Sequence, residues 1–147
     1  MTMDRNIRVK TDRKYKTLYK QLTNLIVGES HELFFICACL GFKRGKCETL
    51  GKRGDDRFWS GTISPEEWAC YYSMHLQNNG MDFQTIQDDH AVMHSMEQYA
   101  NGGMAILMED LLKDYTTHAE EEVLLDSGRC QELPKVFLCY LFELGLA

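Results

Sequence analysis

The chain has 147 residues, 44% of them apolar and 26% charged, with a net charge of −6. That length suits one domain able to bury about two-thirds of its unfolded surface without metal or disulfide support. The longest apolar run, Val136 to Phe142, falls short of the ~20 residues of a membrane helix, so the sequence predicts a cytoplasmic protein with no membrane segment.

The charge is divided along the chain. Residues 1–54 hold twelve Lys/Arg against five Asp/Glu, and residues 55–147 hold four against seventeen, giving +7 and −13. A basic N-terminal surface is open to phosphates or an acidic partner, while the acidic remainder would repel nucleic acid. The alternative is that the two halves neutralise one another internally. The six cysteines (Cys37, Cys39, Cys47, Cys70, Cys130, Cys139) contain no CxxC pair and read as reduced thiols, several of them core fillers.

In chain order, Ile7 to Thr11 alternates apolar and basic residues, as a short edge strand does. Asp12 can cap a helix through Tyr15, Leu18, Tyr19 and Leu22, and Gly28 to Ser30 breaks it. Ser30 is the expected cap of a buried helix containing Leu33, Phe34, Ile36, Cys37 and Leu40, with Gly41 as its stop. Residues 42–63 are the least helical stretch, and the sequence predicts a β-hairpin or ordered loop around residues 46–63. Ser64-Pro65-Glu66-Glu67 is a strong start signal: a capping serine, a proline at the first helical position, and a glutamate three residues after the cap. The helix it opens carries Trp68, Tyr71 and Tyr72 on an aromatic face. Thr85 or Asp88 caps the next helix, and Asn101-Gly102-Gly103 is expected to end that one and begin another, since two glycines cost a helix about 1 kcal/mol each. An uninterrupted helix is the rival reading. Ala119 to Leu125 is predicted as a short acidic helix stopped at Ser127-Gly128, and a nearly all-apolar helix follows from Val136 to Leu144 after Pro134. The fold class is mainly α: a single compact helical domain with a short N-terminal strand.

Catalytic signatures are sparse. No GxSxG elbow, P-loop or dinucleotide fingerprint occurs. His90 and His94 lie four apart with Asp89 beside them, a weak metal candidate lacking the glutamate of HExxH. No cofactor and no enzymatic activity are expected.

Two segments resemble a known family. Leu40-Gly41-Phe42-Lys43 after an apolar helix, and Glu97-Gln98-Tyr99-Ala100-Asn101-Gly102-Gly103 before a leucine-rich helix, resemble the small accessory proteins encoded beside bacterial Dnd genes for DNA phosphorothioation, the associated protein 4 group. The likeness covers residues 7–114, so that 1–114 reads as a family-like helical core and 115–147 as an added acidic and apolar interaction extension. The resemblance implies a non-enzymatic adaptor of an anti-phage or anti-plasmid DNA-defence complex, working with larger ATPase, SMC-like or nuclease subunits, and a homodimer is open to it.

On that reading, Trp68, Tyr71, Tyr72, Val136, Phe137, Tyr140, Leu141 and Leu144 are the expected protein interface. Arg8, Lys10, Lys14, Lys43, Arg44, Lys46, Lys52 and Arg53 are expected to face DNA or an acidic partner. The alternative is a small DNA-binding protein with a ribbon-helix-helix-like N-terminus, in which strands enter the major groove.

Overall fold

Two helices that cross at glycines organise the structure. A computed structural model describes residues 3–126 and 128–145. Its elements are β1 (Arg8–Asp12), α1 (Lys16–Leu22), α2 (Ser30–Arg44), β2 (Gly54–Trp59), α3 (Pro65–Asn78), α4 (Asp89–Asp110), β3 (Thr116–Ala119), β4 (Glu122–Leu125) and α5 (Leu133–Glu143). The mainly α expectation holds, with two small two-stranded antiparallel sheets added to it.

The expected break at Asn101-Gly102-Gly103 does not occur. Helix α4 runs unbroken through all three residues, because their small side chains let α2 come close enough to offset the poor helical propensity of glycine. A Cβ on Gly103 would lie 2.6 Å from the Cys37 carbonyl carbon and closer still to its oxygen. One on Gly102 would lie 2.7 Å from the Lys46 carbonyl carbon. Gly41 answers from α2, where a Cβ would lie 2.9 Å from the Tyr99 carbonyl carbon. Gly41 is therefore a crossing residue and not the expected stop. The helix continues for another turn and ends at Gly45, which takes the left-handed conformation (φ 65°) that favours glycine. Asn101 reaches the loop beyond, its Nδ2 donating to the Glu48 carbonyl (3.4 Å).

Other boundaries follow local chemistry. Ser64 accepts from the Glu67 N–H (3.1 Å) while the Glu67 carboxylate accepts from the Ser64 N–H (2.9 Å), completing the capping box. Asp88, not Thr85, caps α4, accepting from His90 and Ala91. Glu29 occupies the cap position of α2, and Ser30 is its first helical residue.

Two expectations about strands need correction. Residues 46–63 form no hairpin among themselves. Instead β2 pairs antiparallel with β1, from Arg8 opposite Trp59 to Asp12 opposite Gly54, with a bulge between Val9 and Lys10. The predicted acidic helix at Ala119 to Leu125 is a hairpin, with Thr116 opposite Leu125 and Ala119 opposite Glu122. β-branched Thr116, Thr117 and Val123 suit strands, and Glu120 and Glu121 form the turn between them. The turn places Glu120 at a positive φ (57°), and only Val123 of β4 is fully buried. The predicted stop at Ser127 lies outside the described residues.

The core gathers Tyr15, Leu18 and Tyr19 from the first helical turns, Leu33, Phe34 and Leu40 from α2, Trp68 and Tyr71 from α3, Met93, Met96 and Met104 from α4, and Phe137 from α5.

Candidate interaction surfaces and a histidine-lined cleft

The basic residues do not assemble into one patch. Arg8 lies over the Trp59 ring (4.1 Å to its centroid) and pairs with Asp56 (3.3 Å). Arg44 pairs with Asp110 (3.2 Å), Lys46 with Glu48 (3.7 Å) and Arg53 with the buried Asp12 (3.5 Å). Lys43 donates to the Leu144 carbonyl, Lys14 lies over the Tyr15 ring, and Lys52 sits on the exposed turn Gly51–Arg53. Lys14 and Arg53, together with Arg13 and Lys16, share a depression with Glu120, Glu121 and Glu122. The tip of the acidic hairpin thus folds against the basic start of the chain, and the charge division seen in the sequence is partly closed on itself. The exposed pairs among them, those of Arg8, Arg44 and Lys46, contribute about 0–1 kcal/mol each and hold side chains in place more than they stabilise.

The aromatic face of α3 is core and not interface. Trp68 is 1% exposed and Tyr71 is fully buried, and Tyr71 makes edge contacts with Phe34 (6.1 Å) and Phe35 (5.7 Å). Tyr72, half-buried, stacks on Trp68 and donates to Asp89 (2.8 Å).

Helix α5 divides into two faces. Leu133, Phe137 and Leu141 point into the core, which removes Phe137 and Leu141 from the expected interface. Val136, Tyr140 and Leu144 are half-buried, and Tyr140 donates to Asp110 (2.8 Å). The exposed apolar residues are Leu138 (61%) and Phe142 (75%), one turn apart. A strict 3.6-residue reading of the apolar tail separates these two faces, but treating the run as uniformly apolar hides the division. A second exposed pair, Met81 and Phe83, follows α3. Its turn is fixed by hydrogen bonds from Met81 N–H to the Leu76 carbonyl (2.9 Å) and from Gln84 N–H to the Asp82 carboxylate (3.0 Å). Met81 sits there at φ 62°, a costly conformation for a residue with a side chain.

His90 and His94 line a cleft of about 630 Å³ between the first half of α4, β1 and the Thr49 to Gly51 turn. His90 faces Asp4 (3.3 Å) and His94 faces Glu97 (3.9 Å). Asp89, the candidate third ligand, is occupied by Tyr72 and by the Asp4 N–H (2.7 Å), so the three do not converge. Among the described residues, no cluster of three His, Cys, Asp or Glu is arranged to hold a metal ion.

Glu97, read in the sequence only as the start of the Glu97 to Gly103 segment, has a role of its own. Its carboxylate accepts the Lys10 N–H (2.7 Å) at the edge of β1, and burial pushes its pKa from 4.5 up to about 7. The Lys10 hydrogen bond and charge act in the opposite direction, and Asp56 adds a smaller upward push. Across pH 4.5 to 7 the folded chain binds this proton more tightly than the unfolded one, so stability falls as pH rises through that window. Glu97→Gln is expected to flatten that part of the profile in thermal unfolding measured by circular dichroism. An unchanged slope would refute the assignment.

No family model, curated protein or solved structure matches this chain. A functional reading therefore rests on the two exposed apolar pairs, the cleft and the distribution of charge.

Proposed function

We propose that the chain is a non-enzymatic adaptor of a bacterial DNA-defence assembly, the role implied by its resemblance to the Dnd-associated accessory proteins. The observation that carries the adaptor reading is the presence of two separate apolar docking points, Leu138 with Phe142 on α5 and Met81 with Phe83 after α3. Exposed large apolar side chains held by a rigid scaffold suit protein contacts, and two such points on one small chain suit a bridge. Pairing of Arg8, Arg44, Lys46 and Arg53 with carboxylates favours protein partners over a phosphate backbone, which needs uncommitted cations along a track.

Co-expression with the products of neighbouring ATPase and nuclease genes tests the proposal. A stable co-eluting complex is expected, and replacing both Met81 and Phe83 by aspartate should release the partner while leaving the unfolding temperature within a few degrees of wild type. A chain that elutes alone beside every neighbouring product would overturn it.

A further inference from the structure

The outer face of α5 has a pattern that limits what can cover it. At 100° per residue, Lys135, Leu138, Cys139, Phe142 and Glu143 fall on one side of the helix, and all five are exposed. Lys135 and Glu143 stand four residues to either side of Cys139, about 6 Å along the axis each way. The face is therefore positive at one end, negative at the other and apolar between.

We infer that a second copy of this chain covers the face, with the two α5 helices antiparallel about a two-fold axis at Cys139. Such an axis brings each Lys135 onto the Glu143 of the other copy, giving two identical ion pairs. Parallel pairing would set lysine on lysine and glutamate on glutamate, which the charges oppose.

Shape agrees with this arrangement. The two-fold operation keeps each flank against the same flank, so the second copy's Phe142 arrives over the aliphatic stem of Lys135, on the side of the helix that carries Leu138. Phe142 and Leu138 of the two copies thus share one side of the contact, where each ring loses water-exposed surface. Eleven residues of helix bury less than the roughly 1,200 Å² of a standard interface, so the dimer is weak, with a Kd on the order of tens of micromolar. In the adaptor this pairing would leave Met81 and Phe83 of both copies free for larger subunits. The pairing does not depend on which assembly the chain serves.

Sedimentation equilibrium of the isolated chain between about 5 and 200 µM brackets that affinity and tests the inference. The wild type is expected to dimerise, Lys135→Glu alone and Glu143→Lys alone each to weaken the dimer about tenfold, and the double exchange to recover most of the loss. In a background with Cys47 and Cys70 replaced by serine, a short bismaleimide should join Cys139 to Cys139 across the axis. A monomer at every concentration, a double exchange no better than the single ones, or dimers without the Cys139 link would each overturn the inference. Because no partner protein is present, failure here is distinguishable from failure of the adaptor reading, which co-expression decides.

Discussion

Gly103→Ala is expected to destabilise the protein by about 3 kcal/mol or more, although alanine is the better helix former by about 1 kcal/mol. The sign follows from the crossing of α2 and α4. The new methyl group would overlap the Cys37 carbonyl, a backbone group that cannot turn aside as a side chain does. Relief requires the two helices to part along their contact, opening voids beside Ala38, Ala100 and Met104, all of which are buried. Thermal unfolding followed by circular dichroism reads the effect. For a chain of this size 3 kcal/mol corresponds to a fall of roughly 6–12 °C. His94→Ala, on the exposed side of the same helix, is the control and should move the midpoint little. A Gly103→Ala protein as stable as wild type would mean that the close crossing is not formed.

Trp68→Ala is expected to cost about 3–5 kcal/mol, the range for removing a large aromatic from a packed interior. Its indole packs against Tyr71 and Tyr72 and is almost fully enclosed. Phe142→Ala, which removes the ring from a side chain that is 75% exposed, should change the stability of the monomer by no more than about 0.5 kcal/mol. The pair separates support from docking: Trp68 holds the fold and Phe142 meets a partner. Denaturant titration of both variants in dilute solution, where α5 is unpaired, provides the comparison. Equal stability of Trp68→Ala and wild type would return the aromatic face of α3 to the surface.

What was legible in the sequence depended on how far apart the deciding groups lie. The capping box at Ser64 to Glu67 could be read because every atom in it belongs to four consecutive residues. Strand β1 could be read from its own alternation, but its partner could not, since β2 lies more than forty residues away behind two helices. Asn101-Gly102-Gly103 was misread for a related reason. A glycine pair lowers helical propensity wherever it stands, and only the proximity of Cys37 and Lys46 shows why α4 keeps it. The acidic run at residues 120–122 suggested a helix N-terminus, while the threonines before it decided for a hairpin. Of the candidate interface residues, the apolar character of α5 was evident but its inward and outward faces were not separated. Glu97 was legible only as the first residue of the Glu97 to Gly103 segment, because its role comes from the edge of β1 packed against it.

The continuity of α4 has a mechanical consequence. One end of this 22-residue helix carries His90 and His94, and the other carries Asp110, which holds Arg44 and Tyr140 beside α5. At 1.5 Å per residue the rod is about 33 Å long, and glycine contacts clamp its middle to α2, so it has no hinge there. The two regions of the surface are therefore the ends of one continuous rod, their separation set by its length.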